Sequence, residues 1–104
     1  GAFMDNIIDN AIALIVREID PDKIILFGSR NKGECLEHSD IDLLVIKSGV
    51  ESRRRVAQKL HKALFAIPAA FDILVETPER IAKLRNDDGF VISEAVTGSV
   101  LYER

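Results

Sequence analysis

The pattern of hydrophobic and polar positions along this chain predicts four helices and four strands. Between residues 5 and 19, apolar side chains recur every three or four positions, the spacing of one helix face: Ile8, Ile12, Ile15, Val16 and Ile19. Asp5 is the predicted N-cap of this helix, and the turn Asp20-Pro21-Asp22 ends it. Short apolar runs predict strands at residues 23–27, 41–46 and 71–76.

The remaining segments predict three further helices and a last strand. Ser52 opens a helix that presents Val56, Leu60 and Leu64 on one face, and Pro78 begins a helix that reaches about residue 85. A last helix is expected from about residue 88 to 97, before a short edge strand at 100–102. Helices and strands mixed within one short chain predict an α/β or α+β domain. We expect a small mixed sheet that carries its helices on one side.

Composition narrows the classes of protein that fit this pattern. The chain has 104 residues, a formal net charge of −3 and one cysteine, Cys35, so it forms no internal disulfide. No apolar run approaches the roughly 18 residues of a membrane span, and the basic excess typical of nucleic-acid-binding domains is absent. With no signal peptide visible, we expect one cytoplasmic domain over residues 4–104, with residues 1–3 left from an expression tag.

Aspartates interrupt two of the apolar strands. Asp40 and Asp42 lie two positions apart, so their side chains point to the same face, about 6.5–7 Å apart along the backbone. Asp72 interrupts the strand at 71–76, and Glu76 is expected at the exposed end of that strand without a role. Such carboxylates repel each other and are costly to desolvate unless cations accompany them. If the two strands are neighbours, three carboxylates meet at one site suited to two Mg²⁺ ions and to phosphoryl or nucleotidyl transfer.

A turn suited to phosphate precedes these acids. Gly28 and Ser29 end the first predicted strand, where glycine lets a backbone N–H approach an anionic oxygen and serine adds a hydroxyl donor. Arg30 is a candidate for a charge-assisted contact with phosphate, with a solvated loop charge as an equal alternative. The run Arg53–Arg55 is interpreted first as a solvated helix face and second as a nucleic-acid or toxin patch.

The order and spacing of these motifs resemble those of a known superfamily. Gly28-Ser29, ten intervening residues, the pair Asp40 and Asp42 and a lone Asp72 on a later strand are similar to the nucleotidyltransferases that include DNA polymerase β. The short length and the segments FGSR, SDIDLLV and SEAVTGSVLYER resemble the minimal nucleotidyltransferases, or MNT-domain proteins, over nearly the whole chain.

This resemblance implies a fold and a role for each motif residue. The fold implied is that of the polymerase β-like nucleotidyltransferases. Gly28 and Ser29 match the turn that binds nucleotide phosphate, and Asp40 and Asp42 match the paired metal ligands. Asp72 matches the third carboxylate, which completes the metal site and is a candidate base.

The resemblance also implies an activity and a partner. MNT-domain proteins are often antitoxins that accompany HEPN-domain ribonuclease toxins, and they are expected to transfer AMP from ATP to a toxin tyrosine, with release of pyrophosphate. The chain is therefore expected to be a Mg²⁺-dependent protein adenylyltransferase that associates with its toxin or with itself. Two alternatives stay open: an antitoxin that acts by occlusion without catalysis, and nucleotidyl transfer to a small molecule or an RNA end.

Overall fold

Four strands and four helices are present in the part of the chain that the structure, a computed structural model, describes. The described residues are 2–28, 40–84 and 91–104, with side chains at 6–28, 40–84 and 92–104. In chain order the elements are α1 (Ala2–Ile19), β1 (Lys23–Phe27), β2 (Ile41–Ile46), α2 (Arg53–Leu64), β3 (Phe71–Glu76), α3 (Pro78–Leu84), α4 (Val91–Ala95) and β4 (Ser99–Glu103). None of the helices in these ranges is both long enough and apolar enough to cross a membrane.

The strands form one mixed sheet in the order β3-β2-β1-β4. β1 pairs antiparallel with both β2 and β4, whereas β2 pairs parallel with β3. The parallel pair requires a crossover, which α2 supplies by returning the chain to the end of the sheet where β2 began. The predicted mixed sheet is confirmed, and the first three predicted strands have the bounds that the sequence indicated.

Helices cover both faces of this sheet, so the expectation that they lie on one side is wrong. On the first face α1 and α2 pack against alternate strand residues, and the fully buried members include Ile15, Ile24, Ile41, Leu43, Val45 and Leu60. On the second face Ala95 of α4 and Ile81 of α3 pack against Ile25, Phe27, Leu44 and Ile46. The physical reason is visible in β2, where the run from Leu43 to Ile46 is buried on both faces and therefore needs cover on both.

The start of α1 differs from the predicted one. α1 begins at Ala2, so Asp5 lies within the helix and is not its N-cap. Ser52 does cap α2, because its hydroxyl oxygen accepts a hydrogen bond from the Arg55 backbone N–H at 3.2 Å. The described part of the last helix, Val91–Ala95, lies within the predicted span, and residues 88–90 are outside the described ranges.

Glu76 is the one buried charged residue of the described chain, which contradicts the expectation that it lies at an exposed strand end. Only 3% of its surface is accessible. Arg53, at the start of α2, donates to both carboxylate oxygens at 3.0 and 3.2 Å, and Arg80 of α3 donates to Oε1 at 2.7 Å. The carboxylate is buried because two arginines from helices on opposite faces of the sheet neutralise it. Glu76 thus joins α2, β3 and α3 through charge-assisted hydrogen bonds.

We expect Glu76→Gln to lower the free energy of unfolding by about 1–3 kcal/mol, because it removes the charge that two arginines share in a buried position. The loss stays below that of a fully buried pair because both guanidinium groups are half-exposed and remain hydrated. Urea unfolding measures the change. The matched control is Glu103→Gln, which removes an exposed partner of Lys23 and should cost less than about 0.5 kcal/mol. Equal losses in the two variants would contradict a structural role for Glu76.

Candidate active site

Asp42 and Asp72 lie side by side on neighbouring strands. They are direct partners in the parallel pairing of β2 and β3, so both side chains project from the same face of the sheet. That face is the one that α3 and α4 cover further along, where Leu44 and Leu74 follow the two acids. The two carboxyl groups are close enough to hydrogen bond to each other when one is protonated.

Asp40 lies just before β2 and shares the side of Asp42. Its side chain is exposed, and its charge acts on Asp42 without a hydrogen bond between the two groups. Within the described ranges no three His, Cys, Asp or Glu side chains are grouped closely enough to hold a metal ion. The structure therefore brings two of the three predicted carboxylates into contact and leaves Asp40 at the edge of the pair.

The pKa of Asp42 is raised above the usual value for an aspartate. The largest cause is its desolvation by burial, and the negative charges of Asp72 and Asp40 add to it. The hydrogen bond with Asp72 and the more distant carboxylate of Glu94, on α4, act in the same direction. Five separate influences thus disfavour the ionised form of Asp42, and a bound cation would act against all of them.

No cation of the described chain neutralises this group of acids. Among residues 6–28, 40–84 and 92–104, no Lys or Arg side chain forms an ion pair with Asp40, Asp42 or Asp72. At the other end of β3, Glu76 has two arginine partners. Within the described residues, the acids at the start of β3 therefore lack the cationic partners that Glu76 has at the end of the same strand.

Gly28 lies directly against this group of acids. It follows Phe27, the β1 partner of Asp42, and its φ of +78° is a backbone conformation that residues with a side chain rarely adopt. A Cβ atom at this position would overlap Oδ2 of Asp42 and would lie 3.1 Å from its Cγ. Glycine is therefore required twice, for the turn and for the space that the Asp42 carboxylate occupies. Ser29 and Arg30, the other predicted phosphate contacts, lie outside the described residues.

Sequence reasoning did not anticipate Glu94. Its charge reaches Asp42 because α4 packs on the second face of the sheet, where it contacts β1. No sequence motif marks Glu94, since its position depends on how the last helix returns to the sheet. The signal that could have placed it is the two-sided burial of β2, which requires a helix on this face.

Comparison with known proteins identifies the family. A sequence model described as polymerase beta, nucleotidyltransferase matches residues 9–104. The chain belongs to this family. The membership and the fold class that the sequence indicated are both confirmed, and the nucleotidyltransferase resemblance holds over nearly the whole length of the chain.

Individual proteins similar to this chain have names more specific than that of the family. A putative protein adenylyltransferase of Methanocaldococcus jannaschii is 40% identical over 53 residues, which cover 49% of this chain and 36% of that protein. The matched region is therefore about a third of that relative's length. Two crystal structures have TM-scores of 0.56 and cover 91% of this chain and 73% of their own. One is a toxin–antitoxin with AMP-PNP, 26% identical, and the other is a mutant of the toxin–antitoxin MntA–HpeT, 27% identical.

Proposed function

We propose that this protein is a Mg²⁺-dependent antitoxin that transfers AMP from ATP to a tyrosine hydroxyl of a partner HEPN-domain toxin and so neutralises it. The observation that carries the proposal is the contact between Asp42 and Asp72, which no cation of the described chain compensates. Like charges held together at a sheet end are costly, and they are typical of sites that bind metal and phosphate. The adjoining glycine turn supports the same function.

The carboxylates fit Mg²⁺ by their chemistry. Asp40 and Asp42 would hold both ions, and Asp72 would complete the site of one of them. When bound, Mg²⁺ supplies the positive charge that binds the triphosphate and stabilises the charge that develops on the reacting oxygens. The positive φ of Gly28 and its lack of a side chain support a role in admitting the nucleotide phosphates beside Asp42. Ser29 and Arg30 are proposed as further donors to those phosphates.

ATP and the tyrosine side chain supply every atom that takes part in the proposed transfer. The tyrosine oxygen forms a bond to the α-phosphorus of ATP, the bond from that phosphorus to the β-phosphate oxygen breaks, and pyrophosphate leaves. The proton of the tyrosine hydroxyl passes to a carboxylate, for which Asp72 is the proposed acceptor because it is exposed beside Asp42.

The names of the similar proteins support ATP as the donor and a protein as the acceptor. The relative from Methanocaldococcus jannaschii is named as a putative protein adenylyltransferase, which supports AMP as the group transferred and a protein as the acceptor. The structure with AMP-PNP, an ATP analogue, supports ATP as the donor. Both structural neighbours are toxin–antitoxin complexes, and one is a mutant named for two Asp-to-Glu changes at the spacing of Asp40 and Asp42. Tyrosine and the HEPN domain are proposed from the resemblance in the sequence motifs.

The proposal is tested by the intact mass of the toxin. We expect the toxin protein to gain one or more AMP units when it is incubated with this chain, ATP and Mg²⁺, or is co-expressed with it. Asp40→Ala should remove the mass shift. Asp9→Asn is the matched control, because it removes an exposed carboxylate of α1, which packs on the face of the sheet opposite Asp42 and Asp72, and should leave the shift unchanged.

Each alternative gives a different outcome in the same assay. Neutralisation without any mass shift, equal in wild type and Asp40→Ala, would overturn the transferase proposal in favour of occlusion. Label from ATP that appears in RNA or in a small molecule, but not in protein, would assign a different acceptor. Loss of the shift in Asp9→Asn as well would show that the assay reports folding and not the site.

A further inference from the structure

The outer face of α2 is a basic surface with an aromatic residue at its end. α2 contains six basic side chains and no acidic one, in a chain whose net charge is −3. Five exposed positions fall within about 100° of the helix circumference. We call them the α2 surface: Arg54, Gln58, His61, Lys62 and Phe65. Arg53 and Lys59 have acidic partners, whereas no ion pair engages Arg54 or Lys62 within the described residues.

Phe65 is held in its exposed position by ordered backbone. It is 90% accessible, the largest exposure of any large hydrophobic side chain in the described residues. Its N–H donates to the carbonyl of Lys62 at 3.3 Å, and the N–H of Ile67 donates to the carbonyl of Leu64 at 3.0 Å. Leu64 is buried and Ile67 packs against the core, so the turn that presents Phe65 is fixed on both sides. The phenyl ring is therefore presented to solvent at a defined position at the end of α2.

The end of the α2 surface that carries Phe65 lies at the same end of the sheet as the acids of the candidate active site, whereas Arg54, next to Arg53, lies towards Glu76. The segment after Phe65 leads into β3, and the carbonyl of Ala70 accepts a hydrogen bond from the N–H of Ile41, next to Asp40. Phe65 and Asp72 are seven positions apart in the chain, so their Cα atoms are at most about 25 Å apart. A standard protein interface covers about 800 Å² on each partner, roughly 30 Å across. One interface can therefore include both features.

We infer that the α2 surface is the docking site for the protein that accepts AMP, and that this protein presents an apolar pocket for Phe65 within an acidic patch. The inference rests on the proposed function for the identity of the partner. α2 packs on the first face of the sheet, whereas Asp42 and Asp72 project from the second. The partner therefore lies across the end of the sheet where β3 begins, with its tyrosine on the side of the acids.

The charge distribution favours an acidic protein over a nucleic acid. The unpaired basic groups complement acidic side chains, and Phe65 buries apolar area in a pocket, as the central residues of protein interfaces do. A nucleic-acid backbone is negatively charged along its whole length, so one bound to Arg54 and Lys62 would continue past exposed Asp72 and Asp40, whereas a protein can place acidic side chains opposite the basic groups alone.

The test is the steady-state transfer of AMP to the purified toxin, with KM for the toxin and kcat measured separately. Phe65→Ser should raise KM for the toxin about tenfold or more and leave kcat within twofold, because it removes binding and not chemistry. Lys62→Glu should raise the same KM and weaken its dependence on salt. The matched controls are Val100→Ser, at an exposed apolar position on β4, and Lys83→Glu, on the exposed face of α3, and both should stay within twofold.

Four outcomes decide the inference. Equal KM values for the test and control variants would overturn it. Binding of a single-stranded RNA that Lys62→Glu abolishes, with an unchanged KM for the toxin, would assign the surface to nucleic acid instead. Dissociation of a wild-type dimer by Phe65→Ser, again with an unchanged KM, would assign it to a second copy of this chain. Should the wild type transfer no AMP, the proposed function fails, and toxin binding measured without ATP still tests whether Phe65→Ser weakens the complex tenfold.

Discussion

Asp42→Asn is expected to lower the rate of AMP transfer by about 10³-fold or more, the largest effect of any single substitution at the candidate active site. Asparagine keeps the size of the side chain and removes the charge that would hold a cation, so the loss reports chemistry and not packing. The rate of toxin labelling from ATP measures it at saturating toxin and Mg²⁺. Asp9→Asn, on the exposed face of α1, is the control and should be fully active.

The same substitution is expected to stabilise the fold when no divalent cation is present. Burial and the charges of Asp72 and Asp40 raise the pKa of Asp42 above its value in the unfolded chain, so the folded state binds more protons in the interval between the two values. Wild-type stability therefore falls as pH rises through that interval, and above it the ionised group is destabilising. Asp42→Asn should raise the free energy of unfolding at pH 7 by about 0.5–2 kcal/mol.

Urea unfolding in EDTA at pH 4 and pH 7 checks this stabilisation. The wild type should lose stability between the two pH values relative to Asp42→Asn, and the difference should narrow at the lower pH, because the raised pKa of Asp42 favours its protonated form there. Adding Mg²⁺ at pH 7 should stabilise the wild type and leave Asp42→Asn unchanged, because a ligand stabilises only the state that binds it. A variant that is less stable than the wild type in EDTA would contradict the repulsion inferred among these acids.

Gly28→Ala is expected to lower the transfer rate by about 10²-fold, because the new Cβ atom would overlap Oδ2 of Asp42 and displace its carboxylate. It should also cost more stability than the left-handed backbone conformation alone, which is worth about 1–2 kcal/mol for a residue with a side chain. The transfer rate and urea unfolding are measured on the same preparation, so that loss of folded protein is separated from loss of chemistry.

Gly49 provides an unusually close control for Gly28. Its φ is +76° against +78° for Gly28, but no atom lies within 4 Å of a Cβ built on it. Gly49→Ala should therefore show the backbone cost and none of the loss in transfer rate. If both alanine variants lose activity equally, the effect comes from the backbone and the contact with Asp42 has no part in it. If neither does, the position of the Asp42 carboxylate is not critical.

Much of the fold could be predicted because local signals and tertiary packing agree in this chain. The strands at 23–27, 41–46 and 71–76 are short apolar runs bounded by turn residues, and Ser52 is an N-cap in both the sequence and the structure. The prediction that Asp42 and Asp72 meet held only if their two strands are neighbours in the sheet. Periodicity shows which residues share a face, but it does not show which strands are neighbours, and the parallel register of β2 and β3 supplies that information.

The burial of Glu76 and the second layer of helices depend on contacts between residues far apart in the sequence, which the sequence pattern does not show. Glu76 was expected to be exposed because a carboxylate at a strand end usually is, yet Arg53 lies 23 positions away and buries it with Arg80. The second layer of helices was missed because α3 and α4 are short, and their apolar residues give too few turns to reveal a buried face. Both errors concern the face of the sheet from which Glu76 projects and on which α3 and α4 pack.

The two acids of β3, Asp72 and Glu76, mark two ends of the strand with different roles. Asp72 and Glu76 are four residues apart, about 13 Å along the strand, and project from the same face. The chain neutralises Glu76 itself, through Arg53 and Arg80, so that end of the strand is electrostatically complete before any ligand binds. A library of variants that seeks new acceptors can therefore vary the exposed α2 surface, while Asp42, Asp72 and Gly28 are kept for the chemistry and the cluster around Glu76 is kept as the fixed anchor of the scaffold.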